Sequence, residues 1–164
     1  MRVIIPVLAL SFAAATAAYA VPAPSPSDFV SDAIKGDNSE IQMGKLAQDQ
    51  GHSAAIRSFG RLLVSDHSKA KDQMNQVAQK VGVTPPTATS ADADAEMQKL
   101  KGMKGADFDN EFASFMVDDH QKDIDKFQAE ADAKNGPAST MAAEQLPTLK
   151  KHLKMAQALA KSKT

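Results

Sequence analysis

Apolar residues recur three and four positions apart over most of this chain, and nowhere do they alternate with period two over any length. The pattern predicts helices and no sheet. Phe29, Val30, Ala33, Ile34, Ile41 and Ala47 mark a first helix, with Ser27 as its N-cap and an end near Gly51. A second runs from about Ser53 to Val81, with Ile56, Phe59, Leu63, Ala70, Met74 and Val77 on one stripe; Gly82 and Pro85-Pro86 stop it. Residues 83–104 read as a connector carrying a short helix over Ala91–Lys101. A third long helix starts at Gly105 or Ala106 and reaches about Lys134, with Phe108, Phe112, Met116 and Phe127 on its apolar face. Asn135-Gly136 is a turn, and Pro137 suits the opening of a fourth helix. Leu146, Leu149, Leu153 and Ala156 carry that helix to the end, and Pro147 inside it predicts a kink or a late start.

Short turns join helices one to two and three to four, which makes two antiparallel hairpins. The long connector between them can cross the length of a bundle. The fold class is therefore all-α, a four-helix bundle of ferritin-like topology with one long crossover; a plain up-down-up-down bundle is the alternative.

The amino terminus reads differently from the rest. Arg2 is the only charged side chain before Asp28, Val3 to Ala15 is an apolar run, and Ala18-Tyr19-Ala20 has the small-x-small cleavage pattern. Residues 1–20 are therefore expected to be a secretory signal peptide cut after Ala20, residues 21–27 a proline-rich linker, and residues 28–161 the bundle. A retained membrane anchor is the competing reading. The expected location is periplasmic or secreted, with no stable membrane insertion after cleavage.

Composition narrows the chemistry. The chain has no Cys, which excludes disulfides, zinc fingers, iron–sulfur clusters and thiol catalysis. Its 19 Lys and Arg against 20 Asp and Glu leave no basic surface of the kind nucleic-acid binding requires. There is no Gly-x-Ser-x-Gly elbow and no phosphate-binding glycine loop. Lys150, Lys151, Lys154, Lys161 and Lys163 make the last helix basic, which suits a solvated C-terminal face and an anionic surface partner.

Two segments match at an offset of 53 residues: Phe59 to Met74 and Phe112 to Phe127. They share a Val, an Asp-His pair, and a following Lys and Asp, beyond what two amphipathic helices have in common. We read this as an internal duplication, with convergence on one local role as the alternative. Helical phase brings His67, His120 and His152 to the apolar stripes, with Glu40, Asp66, Asp119 and Asp123 on them or bordering them. Height along the bundle agrees. His120 lies about 15 residues before the Asn135-Gly136 turn and His152 about 16 after it, and His67 lies about 15 residues from the Gly51 end of its helix. The three histidines are expected in one layer near mid-bundle, with Glu40 roughly a turn away. His52, at the turn before the second helix, is expected on the surface.

Imidazoles and carboxylates on facing helices can hold a metal in a bundle core. They can also form a hydrogen-bonded layer that only fixes helix register. The metal candidates are Glu40, His67, His120 and His152, with Asp66, Asp119 and Asp123 as ligands or their supports; the cofactor would be a divalent transition metal.

The sequence resembles a bacterial family of exported proteins, DUF4142. The resemblance rests on Asn38-Ser-Glu-Ile41, Val-Ser-Asp-His67, Val-Asp-Asp-His120, Phe108-Asp109 and Leu146-Pro-x-Leu-x-x-His152-Leu. It implies a ferritin-like four-helix fold and export, and no established activity. The Glu-x-x-His pairs of ferritin-like di-iron proteins are absent here. Adjacent Asp and His point about 100° apart on a helix and cannot ligate one ion in that manner. With no nucleophile or oxyanion device beside the His–Asp pairs, the reading leans away from an enzyme. The first functional expectation is a non-enzymatic envelope or stress-related module that self-associates or meets an envelope protein. The second is a ferritin-like protein binding Fe, Mn, Zn or Cu.

Overall fold

The computed structural model describes residues 25–162, which form five helices in the order α1 (Pro26–Gln50), α2 (Ala54–Val81), α3 (Ala91–Lys101), α4 (Gly105–Ala133) and α5 (Pro137–Lys161). The expected signal peptide, its cleavage site and the linker up to residue 24 lie outside the described residues. Among the described residues no helix is long and apolar enough to cross a membrane.

Serines set three of the helix starts. Ser25, Ser53 and Ser90 each accept a hydrogen bond from a backbone N–H of the first turn, those of Asp28, Ile56 and Ala93. Ser25 takes the capping role expected of Ser27, and Pro26 and Ser27 lie inside α1 rather than in a linker, because Pro fits the first turn where its missing N–H costs nothing. Gly82 closes α2 in the left-handed conformation (φ 74°), and Lys134 does the same after α4 at φ 50°. The late start expected of the last helix does not occur. α5 runs through Pro147, which is exposed; the carbonyl it leaves without an N–H partner, that of Ala143, is also on an exposed residue.

The crossover topology follows from which ends meet. One apolar cluster joins the start of α1 (Phe29, Val30, Ile34), the end of α2 (Met74, Val77), the end of α4 (Ile124, Phe127) and the start of α5 (Ala142, Leu146). A second joins Met43, Phe59, Leu63, Phe108, Phe112 and Ala156 from the opposite ends. So α1 and α5 run one way and α2 and α4 the other, and the segment from Gly82 to Lys104 must travel the length of the bundle. Buried polar residues of α1 hold it there. Asn38 donates to the carbonyls of Pro86 (3.1 Å) and Ala88 (3.0 Å), and Ser39 Oγ accepts from Ser90 N at 2.9 Å. The core is thus two apolar ends, and between them lie buried His67, His120, His152, Asp37 and Glu40.

Candidate metal centre in the bundle core

The three histidines arrive from three helices. His67 comes from α2, His120 from α4 and His152 from α5, and their ring centroids lie 5.3 to 5.9 Å apart. All three are buried: His67 is 5% exposed, His120 1% and His152 0%. One nitrogen from each lies within 4.8 Å of the others. The expected single layer is present because both hairpins place mid-helix residues at equal distances from their turns.

Each ring has an outer nitrogen held by a named partner. His67 Nδ1 is 2.9 Å from Asp37 Oδ1, and His152 Nε2 is 2.9 Å from Asp66 Oδ2. His120 Nδ1 donates to the Met116 carbonyl at 3.0 Å. A carbonyl can only accept, so this bond assigns the proton of His120 to Nδ1. The carboxylate of Asp66 likewise assigns the proton of His152 to Nε2. The inner nitrogens are then bare. His120 Nε2 and His152 Nδ1 face each other at 3.3 Å, and His67 Nε2 is buried without any hydrogen-bond partner.

Protonating a ring would relieve this convergence of lone pairs, and the surroundings oppose it. Burial, with the neighbouring His67 and His152, pushes His120 down to about 3. Burial also lowers His152 from its ordinary value, against the bond to Asp66. Burial raises Asp37, and His67 pulls it back.

Glu40 and Asp119 meet on the α1–α4 side. Glu40 is 2% exposed; its Oε1 is 3.6 Å from His120 Nδ1, and neither oxygen has a hydrogen-bond partner. Glu40, Asp119 and His120 each offer a ligand atom within 4.8 Å of the others. Residue counting puts Glu40 roughly a turn from the histidine level, and its side chain reaches into contact with His120 nonetheless. Burial, followed by the charges of Asp119, Asp123 and Asp37, holds Glu40 well above the ordinary carboxylate range. Asp123 is further out, its side chain 21% exposed and 3.6 Å from Lys126. Burial and Asp119 push it up to about 7.

Sequence reasoning misses Asp37. It sits in the polar run Lys35-Gly36-Asp37-Asn38-Ser39, which reads as a solvated face, yet Asp37, Asn38 and Ser39 are all buried. Its distance from Gly51, about 14 residues, matches that of His67 and is the usable signal. Asp109, which shares a helical side with Asp123, belongs to neither group of ligand atoms. It accepts from the backbone N–H groups of His52 and Ser53, at 2.8 Å each, and so caps α2 from α4. The His52 side chain is exposed, as expected.

A cleft of about 340 Å³ between α1, α2 and α5 reaches the layer. Asp37, Asp66 and His67 lie along it, with Lys69, Glu144 and Lys151 nearer its mouth. A second cleft exposes Asp119 and Asp123 between α1, α4 and the connector.

The "Crystal structure of DUF305 fragment from Deinococcus radiodurans" is similar to this chain with a TM-score of 0.73, covering 86% of this chain and 99% of that one at 15% identity. At that identity the likeness concerns the fold. No curated relative matches the sequence. The family described as "Domain of unknown function (DUF4142)" matches residues 11–159, and the chain belongs to it.

Proposed function

We propose that this chain is an exported metal-binding bundle, holding one divalent transition-metal ion on the inner nitrogens of His67, His120 and His152. The observation that carries the reading is the convergence of three buried, bare imidazole nitrogens. A layer serving only helix register would pair its polar atoms, since an unpaired buried acceptor costs about 1–3 kcal/mol. Here His67 Nε2 and both Glu40 oxygens are unpaired. A cation on the three nitrogens removes their repulsion, where burial opposes protonating His120 or His152.

The outer partners fit the same reading. A metal-bound imidazole needs its far N–H held, and Asp37, Asp66 and the Met116 carbonyl hold all three. Imidazole donors suit Zn, Cu or Fe. Three protein ligands leave a further position for water, which the cleft beside His67 can supply. The residues provide a binding site and no nucleophile, so binding rather than catalysis is the activity proposed. The expected leader places this activity in the periplasm or outside the cell.

Elemental analysis of protein purified without a tag tests the reading, paired with thermal melts in Fe, Mn, Zn and Cu. One equivalent of Zn, Cu or Fe and a melting temperature raised by that ion are expected in the wild type. Both are expected to vanish in the His67→Ala/His120→Ala double variant, with helicity checked by circular dichroism. Metal-free protein whose melt moves with none of the four ions would leave the layer a register device.

A further inference from the structure

Glu40 presents a problem that the histidine centre does not solve. It is 2% exposed, yet no hydrogen bond reaches either oxygen. His120 Nδ1 lies 3.6 Å from Glu40 Oε1, and its proton is directed to the Met116 carbonyl at 3.0 Å. What faces Glu40 instead is another carboxylate, that of Asp119. Two carboxylates in contact inside a protein share either a proton or a cation. The three lysines along the adjoining cleft are paired elsewhere: Lys35 reaches Asp32 at 3.1 Å, Lys126 reaches Asp123 at 3.6 Å, and Lys122 reaches Asp92 at 3.7 Å.

The pair also has its own way in. Asp119 and Asp123 line the cleft between α1, α4 and the connector, with Asp32 and Asp92 also along it. That cleft is separate from the one that reaches His67, although Gly36 and Asp123 border both.

We propose that Glu40 and Asp119, with Asp123 at the rim, form a second cation site for a hard divalent ion such as Mn²⁺, beside the histidine centre and independent of its occupancy. Oxygen donors select hard cations, whereas the imidazole triangle suits softer ones. Oxygen sites of this kind keep several waters on the ion, and the open cleft allows them.

The test is equilibrium binding of Mn²⁺ to the full mature chain preloaded with Zn²⁺, read from the loss of the free Mn²⁺ paramagnetic resonance signal. One equivalent of Mn²⁺ is expected in the wild type. Glu40→Gln should abolish it and Asp119→Asn should weaken it at least tenfold, with bound Zn²⁺ unchanged in both. Zn²⁺-free His67→Ala/His152→Ala protein should still take one Mn²⁺, so this site can succeed where the histidine centre fails, and the reverse. No Mn²⁺ on the wild type would mean that a shared proton occupies the gap, and the proposal falls. Unchanged Mn²⁺ binding in Glu40→Gln overturns it equally. Circular dichroism of the near-isosteric Glu40→Gln variant establishes that its fold is kept.

Discussion

Gly44 on α1 and Gly60 on α2 stand where two backbones touch: a Cβ on Gly44 would lie 2.7 Å from the Gly60 carbonyl oxygen, and one on Gly60 would lie 2.6 Å from that of Gly44. The first hairpin is held at this crossing, and the same hairpin carries the Asp37–His67 bond. Alanine at either position gains up to about 1 kcal/mol of helix propensity. Forcing the backbones apart costs about 1–3 kcal/mol in a packed core. Both Gly44→Ala and Gly60→Ala are therefore expected to lower the urea midpoint. A variant as stable as the wild type would show that the hairpin opens without strain.

Asp109 ties α4 to the two residues that lead into α2, through two charge-assisted hydrogen bonds, while 4% exposed. Asp109→Ala strands two backbone donors and removes the carboxylate favoured at a helix N-terminus. A loss of about 2–4 kcal/mol is expected in denaturant unfolding. Metal content should stay at the wild-type level, which separates this residue from the histidine layer.

The pH dependence of Asp123 can be isolated in metal-free protein. Its folded value is raised to about 7, by burial first and Asp119 second, from an ordinary 3.8. Between these values the folded chain binds a proton that the unfolded chain does not, so this group's contribution to stability falls as pH rises from 3.8 to about 7. Asp123→Asn removes that titration. The variant should show little difference from the wild type below pH 3.8 and a melting-temperature advantage that grows to about pH 7, then levels. His120, lowered to about 3, works in the opposite sense: stability is lost as pH falls below its ordinary 6.5. His120 is present in both proteins, so it cancels in the comparison. An offset constant across the whole range would refute the assignment.

Asp66 acts through His152. Replacing it with alanine frees the outer nitrogen, whose bond at 2.9 Å sets which ring nitrogen is bare. Zn²⁺ affinity is expected to fall about 10- to 100-fold. Asp66→Asn, whose amide oxygen still accepts, should recover most of it. Competition with a chromophoric chelator measures both.

Mass spectrometry of the protein from a periplasmic extract of a Gram-negative host should find Val21 at the amino terminus. Recovery of an uncut chain in the membrane fraction would instead support the retained anchor.

Much of the fold is legible in the residue pattern alone. The long helices are written in the spacing of Phe, Leu, Ile and Val, because burial of one stripe dictates that spacing, and the short Ala91–Lys101 helix in that of Ala93, Met97 and Leu100. The histidine layer is legible because hairpin geometry equates distance from a turn with height. Polar runs are where the pattern misleads. Asp37, Asn38 and Ser39 look like surface, and each is buried against a partner far away in sequence: His67, Pro86 and Ser90. Periodicity records apolar burial only, so a buried polar side chain is invisible until its partner is placed. The direction of the second hairpin is open in the sequence for the same reason. It depends on where the connector is pinned, and Asn38 does that pinning.

The shared direction of α2 and α4 has one more consequence. A half-turn about the bundle axis carries α2 onto α4 and α5 onto α1. It therefore carries the repeated Asp-His pair of one helix onto that of the other, and the pairing of Asp66 with His152 onto that of Asp119 with Glu40. The layer is pseudo-symmetric in its scaffold and asymmetric in the groups that answer it: α5 offers an imidazole where α1 offers a carboxylate, and Asp37 holds His67 where the Met116 carbonyl holds His120. Those exchanges divide one polar layer into a nitrogen half and an oxygen half.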